Sequence, residues 1–122
     1  MRNRCKQMLI KLSRLRLFTS LTLSLISCYS MAATPTIEIK IQDHLFFPAT
    51  IEIPANTKVK LLLINLDPTA EEFESYELNR EKVISGHRKA VIFIGPLPPG
   101  EYPFFGEFYP KTAQGKVVVT AP

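Results

Sequence analysis

The stretch Pro98–Val119, PPGEYPFFGEFYPKTAQGKVVV, decides how this chain folds. Pro98-Pro99-Gly100 breaks the backbone, because two residues with fixed φ are followed by one without a Cβ. Tyr102 and Phe104 then fall on one face at the two-residue period of a strand. Val117, Val118 and Val119 supply a β-branched closing strand. Between them, Gly106 to Gly115 reads as an irregular loop, limited by Pro110 and its two glycines.

Working outward toward the N-terminus, His87–Ile94 alternates, with Val91 and Phe93 opposing Ala90, Ile92 and Ile94. Arg80–Ile84 reads as a short edge segment. Glu71–Tyr76 is extended but dense in charge, the least core-like strand of the set. Lys58–Asn65 is an almost continuous apolar run, which predicts an interior place in a sheet. Ala55-Asn56-Thr57 is a turn, and Asn56 suits a left-handed position. Thr50–Pro54 and Thr36–Gln42 are further strands, the second with Ile37, Ile39 and Ile41 on one face. Seven or eight short strands, ten prolines mostly at breaks and no 3.6-residue apolar period predict an all-β domain, an antiparallel Greek-key β-sandwich.

The charge balance divides the chain. Residues 1–33 carry Arg2, Arg4, Lys6, Lys11, Arg14 and Arg16 and no acid, followed by the apolar run Leu17–Ser27 and the small-residue end Ser30-Met31-Ala32-Ala33. That pattern is a secretory signal peptide. A retained anchor and a lipobox ending at Cys28, which would give a lipoprotein, are the competing readings. Removing residues 1–33 leaves residues 34–122 as one small domain with nine basic and eleven acidic side chains, net −2. The basicity belongs to export, and nucleic-acid binding loses its support. Both cysteines, Cys5 and Cys28, lie in the leader, so the exported domain has neither disulfide nor thiolate. The destination expected is the periplasm.

Chemistry concentrates in carboxylates. Glu71, Glu72 and Glu74 fall within four positions, and on a strand Glu72 and Glu74 share a face while Glu71 goes with Phe73. With Phe73 in the core, the Glu72/Glu74 pair faces outward. Carboxylates are hard oxygen donors suited to iron, manganese or calcium; a solvated acidic strand that blocks edge pairing is the structural alternative. Glu107 and Tyr109 add oxygen donors in the last loop, where Phe105, Phe108 and Tyr109 would otherwise cap the sandwich. Of the two histidines, His44 sits beside Asp43 after the first strand, and His87 starts a strand at the surface. No nucleophile beside a histidine, no phosphate-cradling glycine loop and no H-E-x-x-H helix is present, so no enzymatic activity is expected.

A Pro-Gly-X-Tyr turn, a strand, a ten-residue loop and a Val-rich last strand resemble the C-terminal end of cupredoxins. Phe47-Pro48-Ala49-Thr50-Ile51-Glu52-Ile53-Pro54-Ala55-Asn56 and the strand ending at Asn65 extend that likeness over the domain. The resemblance places Glu71, Gly106, Tyr109 and Gln114 at the four blue-copper ligand positions. A type 1 copper site needs a thiolate with two imidazoles, so copper of that type is not expected. Glu72-Phe73-Glu74, with Arg80–Gly86 and the Pro-Gly-X-Tyr turn, resembles the EfeO-type cupredoxin-like domains of bacterial periplasmic iron uptake. That likeness implies iron bound by Glu72 and Glu74, supplemented by Glu71 and Glu107 and more weakly by Tyr109 and His44. It also implies an iron permease or other periplasmic iron-uptake components as partners. The rival expectation is a metal-free module docking on such a permease through Phe104, Phe105, Phe108 and Tyr109.

Overall fold

The structure, a computed structural model, describes residues 30–121. Most of the expected leader, with Cys5 and Cys28, lies outside them. Nine strands follow one another: β1 (Thr36–Gln42), β2 (Leu45–Phe47), β3 (Thr50–Pro54), β4 (Val59–Asn65), β5 (Glu71–Ser75), β6 (Arg80–Ile84), β7 (Lys89–Ile94), β8 (Gly100–Gly106) and β9 (Gln114–Thr120). They form a four-stranded sheet in the order β2-β1-β4-β7 and a five-stranded sheet in the order β3-β9-β8-β5-β6. The described residues form an all-β sandwich of these two sheets.

The sheets are mixed rather than wholly antiparallel. β1 pairs parallel with β4, and β3 pairs parallel with β9. Alternation of apolar residues fixes which face of a strand is buried, but both pairing directions bury the same face, so the pattern leaves direction open. The apolar run of β4 takes its interior place between β1 and β7. Two expectations are corrected. Leu45–Phe47 is a strand of its own, joined to β1 through Asp43 and His44, both at positive φ. Gly106 ends β8 while Gln114 and Gly115 open β9, so the last loop is shorter than its glycines suggest.

The inward positions of both sheets make one core. Ile39, Ile41, Leu61 and Leu63 from one sheet meet Ile53, Phe73, Phe104 and Val117 from the other, all within 2% exposure. Phe73 and Phe104 stack at 4.9 Å between centroids, and Phe46 meets Phe104 edge-on at 5.1 Å. Each ring contributes roughly 1.5–3 kcal/mol through burial. Every core side chain lies between Ile39 and Val119, so the compact unit Ala32–Pro122 holds its own core.

The charged strand β5 is as buried on one side as any other. It lies between β8 and β6, with Glu71, Phe73 and Ser75 inward and Glu72 and Glu74 half-buried outward. Its ladder to β8 is short, and Pro103 has no N–H to offer. Ser75 Oγ fills the gap by donating to the Pro103 carbonyl at 2.7 Å and accepting from Leu78 N at 3.1 Å.

Candidate metal centre

Alternation along β5 sends its carboxylates to opposite sides of the sheet. Outward, Glu74 stands directly opposite Glu81 of β6, and Glu72 lies opposite Val83. One carboxylate oxygen each from Glu72, Glu74 and Glu81 lies within 4.8 Å of the other two. A hairpin register that places like charges across from each other is destabilising in the absence of a counter-charge. The consequence appears in both β5 side chains. A side-chain hydrogen bond with Glu81 raises the pKa of Glu72 above the usual 4.5, helped by partial burial and by the charges of Glu81, Glu74 and Glu107. Partial burial raises that of Glu74, with the charges of Glu81 and Glu107 adding to it. Glu107 is therefore an electrostatic neighbour, held in place by its N–H donating to the Glu72 carbonyl at 2.9 Å, but it is not one of the three clustered carboxylates.

Glu71 does not join this set. It is 1% exposed, on the inner side, with Oε1 accepting from Glu72 N at 2.9 Å and Phe108 N at 3.1 Å. Its Oε2 is buried without a partner among the described residues. A Cβ built on Gly106 would come 2.8 Å from Glu71 Cδ and 2.8 Å from Ala113 Cβ, so the carboxylate occupies the space a side chain at 106 would need. The residue expected to supplement the outer pair is instead a buried clasp on the β8–β9 loop.

The other expected residues surround that clasp. The His44 ring stacks on Tyr109, 3.6 Å between centroids and 20° apart, and His44 Nδ1 lies 3.7 Å from Asp67 Oδ2. Asp67 accepts the backbone N–H groups of Asp43 (2.8 Å) and His44 (2.9 Å), which fixes the β1–β2 turn. Asn65 locks the next loop: its amide donates to the carbonyls of Thr69 and Ile84, and its Oδ1 accepts from Asp67 N. Gln114 is exposed and donates to the Pro110 carbonyl. Of the aromatic surface expected to dock, Phe108 and Tyr109 are exposed and Phe105 is half-buried. Phe104 is 1% exposed and belongs to the core.

A family model described as a cupredoxin-like domain matches residues 15–119. The chain belongs to the cupredoxin-like domain family. An uncharacterised protein of Rickettsia prowazekii (strain Madrid E) is 46% identical over 83 residues, covering 68% of this chain; the chain spans 66% of that protein's length. Among solved structures, this cupredoxin-like chain is similar to the metal-binding domain of the Cu(I)-exporting P-type ATPase CopA of Streptococcus pneumoniae D39, described with Cu(I). The TM-score is 0.62 and the identity 20%, over 70% of this chain and 84% of that one. Auracyanin B gives a TM-score of 0.61 at 16% identity, over 73% and 92% of the two chains. A purple cupredoxin of Nitrosopumilus maritimus gives 0.53 at 19%, over 68% and 98%. At these identities the likeness establishes the fold.

Sequence reading missed two residues of this cupredoxin-like chain. Glu81 was legible in principle: a four-residue turn from Tyr76 to Asn79 pairs Ser75 with Arg80, and one step along that register Glu74 meets Glu81. Asp67 carried no such signal, because its partners are backbone groups more than twenty residues away.

Proposed function

We propose that this protein is an exported metal-handling domain that binds a hard cation, iron foremost, on the outer face of its five-stranded sheet. The observation that carries this reading is the meeting of the Glu72, Glu74 and Glu81 oxygens. Three clustered carboxylates, of which Glu72 and Glu74 have raised proton affinity, have the donor set of a hard divalent or trivalent ion, and the ion would relieve the repulsion they impose on one another. The EfeO-type likeness of Glu72-Phe73-Glu74 favours iron as cargo, periplasmic iron uptake as setting and an iron permease as partner. The role is binding, not catalysis.

Blue-copper electron transfer is not the function proposed. Residues 30–121 contain no cysteine. At the four positions that resemblance assigns to copper ligands stand a buried glutamate already holding two N–H groups, a glycine with no room for a side chain, a tyrosine stacked on His44 and an exposed glutamine. That donor set does not fit a type 1 centre. The second reading, a metal-free docking module, draws on the exposure of Phe108 (48%), Tyr109 (40%) and Leu66 (44%).

Calorimetric titration of residues 34–122 with anaerobic Fe(II), Mn(II) and Cu(II) separates the two. Stoichiometric binding of Fe(II) or Mn(II) is expected, lost in the Glu72→Gln/Glu74→Gln variant and weakened by Glu81→Gln. A well-folded domain that takes up no ion would sink the metal reading and leave the aromatic loop as the working surface.

A further inference from the structure

The two outer faces of the sandwich carry opposite charge, and the one remote from the carboxylates is also apolar. Outward on the four-stranded sheet, Leu62 pairs with Val91, Lys60 with Phe93, and Ile64 with Lys89; on the β1 side, Lys40 lies beside Ile64 and Glu38 beside Leu62. Val91 and Phe93 are 40% and 43% exposed, and the Lys58 ammonium sits 4.8 Å above the Phe93 ring. Arg80 adds a cation at the rim, its Nε donating to the Phe93 carbonyl. Against Lys40, Lys58, Lys60 and Lys89 this face sets the single acid Glu38. None of those four lysines is in an ion pair among the described residues, where the pairs are His44 with Asp67 and Lys116 with Glu101.

We propose that this face docks on the headgroup layer of an anionic phospholipid bilayer. An apolar stripe flanked by unpaired lysines matches that surface in both respects. Lysine stems lie along apolar groups while their ammonium ions reach phosphate, and Val91 and Phe93 enter the boundary below. The acidic face, pointing the other way, is repelled by the same lipids and sets the orientation. A second copy of the chain offers a matching sign through its Glu72/Glu74/Glu81 face. That contact is head-to-tail, does not close, and would polymerise the protein. The inference is independent of metal binding.

Co-sedimentation of residues 34–122 with vesicles of phosphatidylcholine, alone or mixed with phosphatidylglycerol, tests the proposal. Partitioning at least about tenfold stronger onto the anionic vesicles and reversed by salt is expected. The Lys40→Glu/Lys60→Glu/Lys89→Glu variant should lose it by about fivefold or more per lysine, and Phe93→Ser should weaken it several-fold. All four side chains point outward, and a circular dichroism melt verifies that each variant folds. Absence of binding to the anionic vesicles, or binding unchanged by the triple reversal, overturns the proposal. So does concentration-dependent self-association abolished by the same variant without vesicle binding, which would make the occupant a second copy.

Discussion

On the inner side of β5, Glu71 is almost wholly buried, spends one oxygen on two backbone N–H groups and fills the space beside Gly106. On the outer side, one residue later, Glu72 is half-buried among carboxylates and shares a hydrogen bond with Glu81. The same functional group on opposite faces of one strand is a structural anchor in one place and a crowded, proton-seeking group in the other. What separates them is the supply of donors. Glu71 meets N–H groups that cannot leave, whereas Glu72, Glu74 and Glu81 meet one another, so their demand for a positive partner stays unmet by the protein.

That contrast can be broken by substitution, and the inner carboxylate should be the costlier to remove. Glu71→Ala leaves the Glu72 and Phe108 N–H groups without their acceptor and is expected to lower unfolding free energy by about 3 kcal/mol in urea titrations. Gly106→Ala should cost about 1–3 kcal/mol by forcing a methyl against Glu71 and Ala113. Combined with Glu71→Ala it should cost less than the sum, because the two compete for one space; strict additivity in that cycle would refute the clasp.

The outer set should respond with the opposite sign and more weakly. Glu72→Gln/Glu74→Gln removes repulsion, so its midpoint at neutral pH is expected at or above that of the parent, the difference closing below pH 4.5. The pH profile of the parent sharpens the same point. A carboxylate whose pKa is raised on folding binds more protons in the native state. Its contribution is fully present below its unfolded value, near 4.5, and is lost as pH rises through the folded one. Melting followed from pH 4 upward should show this decline without metal, and added Mn(II) should flatten it at neutral pH. A parent profile with no such decline would remove the electrostatic part of the contrast.

Much of this was legible beforehand. Alternation in Thr36–Gln42, Lys58–Asn65 and His87–Ile94 gave the buried faces of β1, β4 and β7, and Asn56 takes the left-handed φ its turn needs. Phe73 pointing inward, with Glu72 and Glu74 outward, followed from the same period. Charge density misled for Glu71–Ser75, because composition does not distinguish a solvated carboxylate from one held by backbone N–H groups. Phe104, counted with the docking aromatics, is in the core with Tyr102's face of β8.

The order of apolar and polar residues along the chain by itself determined that this is a β-sandwich and which side of each strand is buried, because side-chain direction has a period of two and needs no partner strand. Only the tertiary structure decided which strands run parallel, that Glu81 joins Glu72 and Glu74, that Glu71 turns inward beneath Gly106, and that Lys58 and Lys60 meet Phe93 while Lys40 and Lys89 flank Ile64. Those facts depend on register between strands distant in sequence, where hydrogen bonding between backbones is the same whatever the side chains and the choice rests on the packing of the whole core.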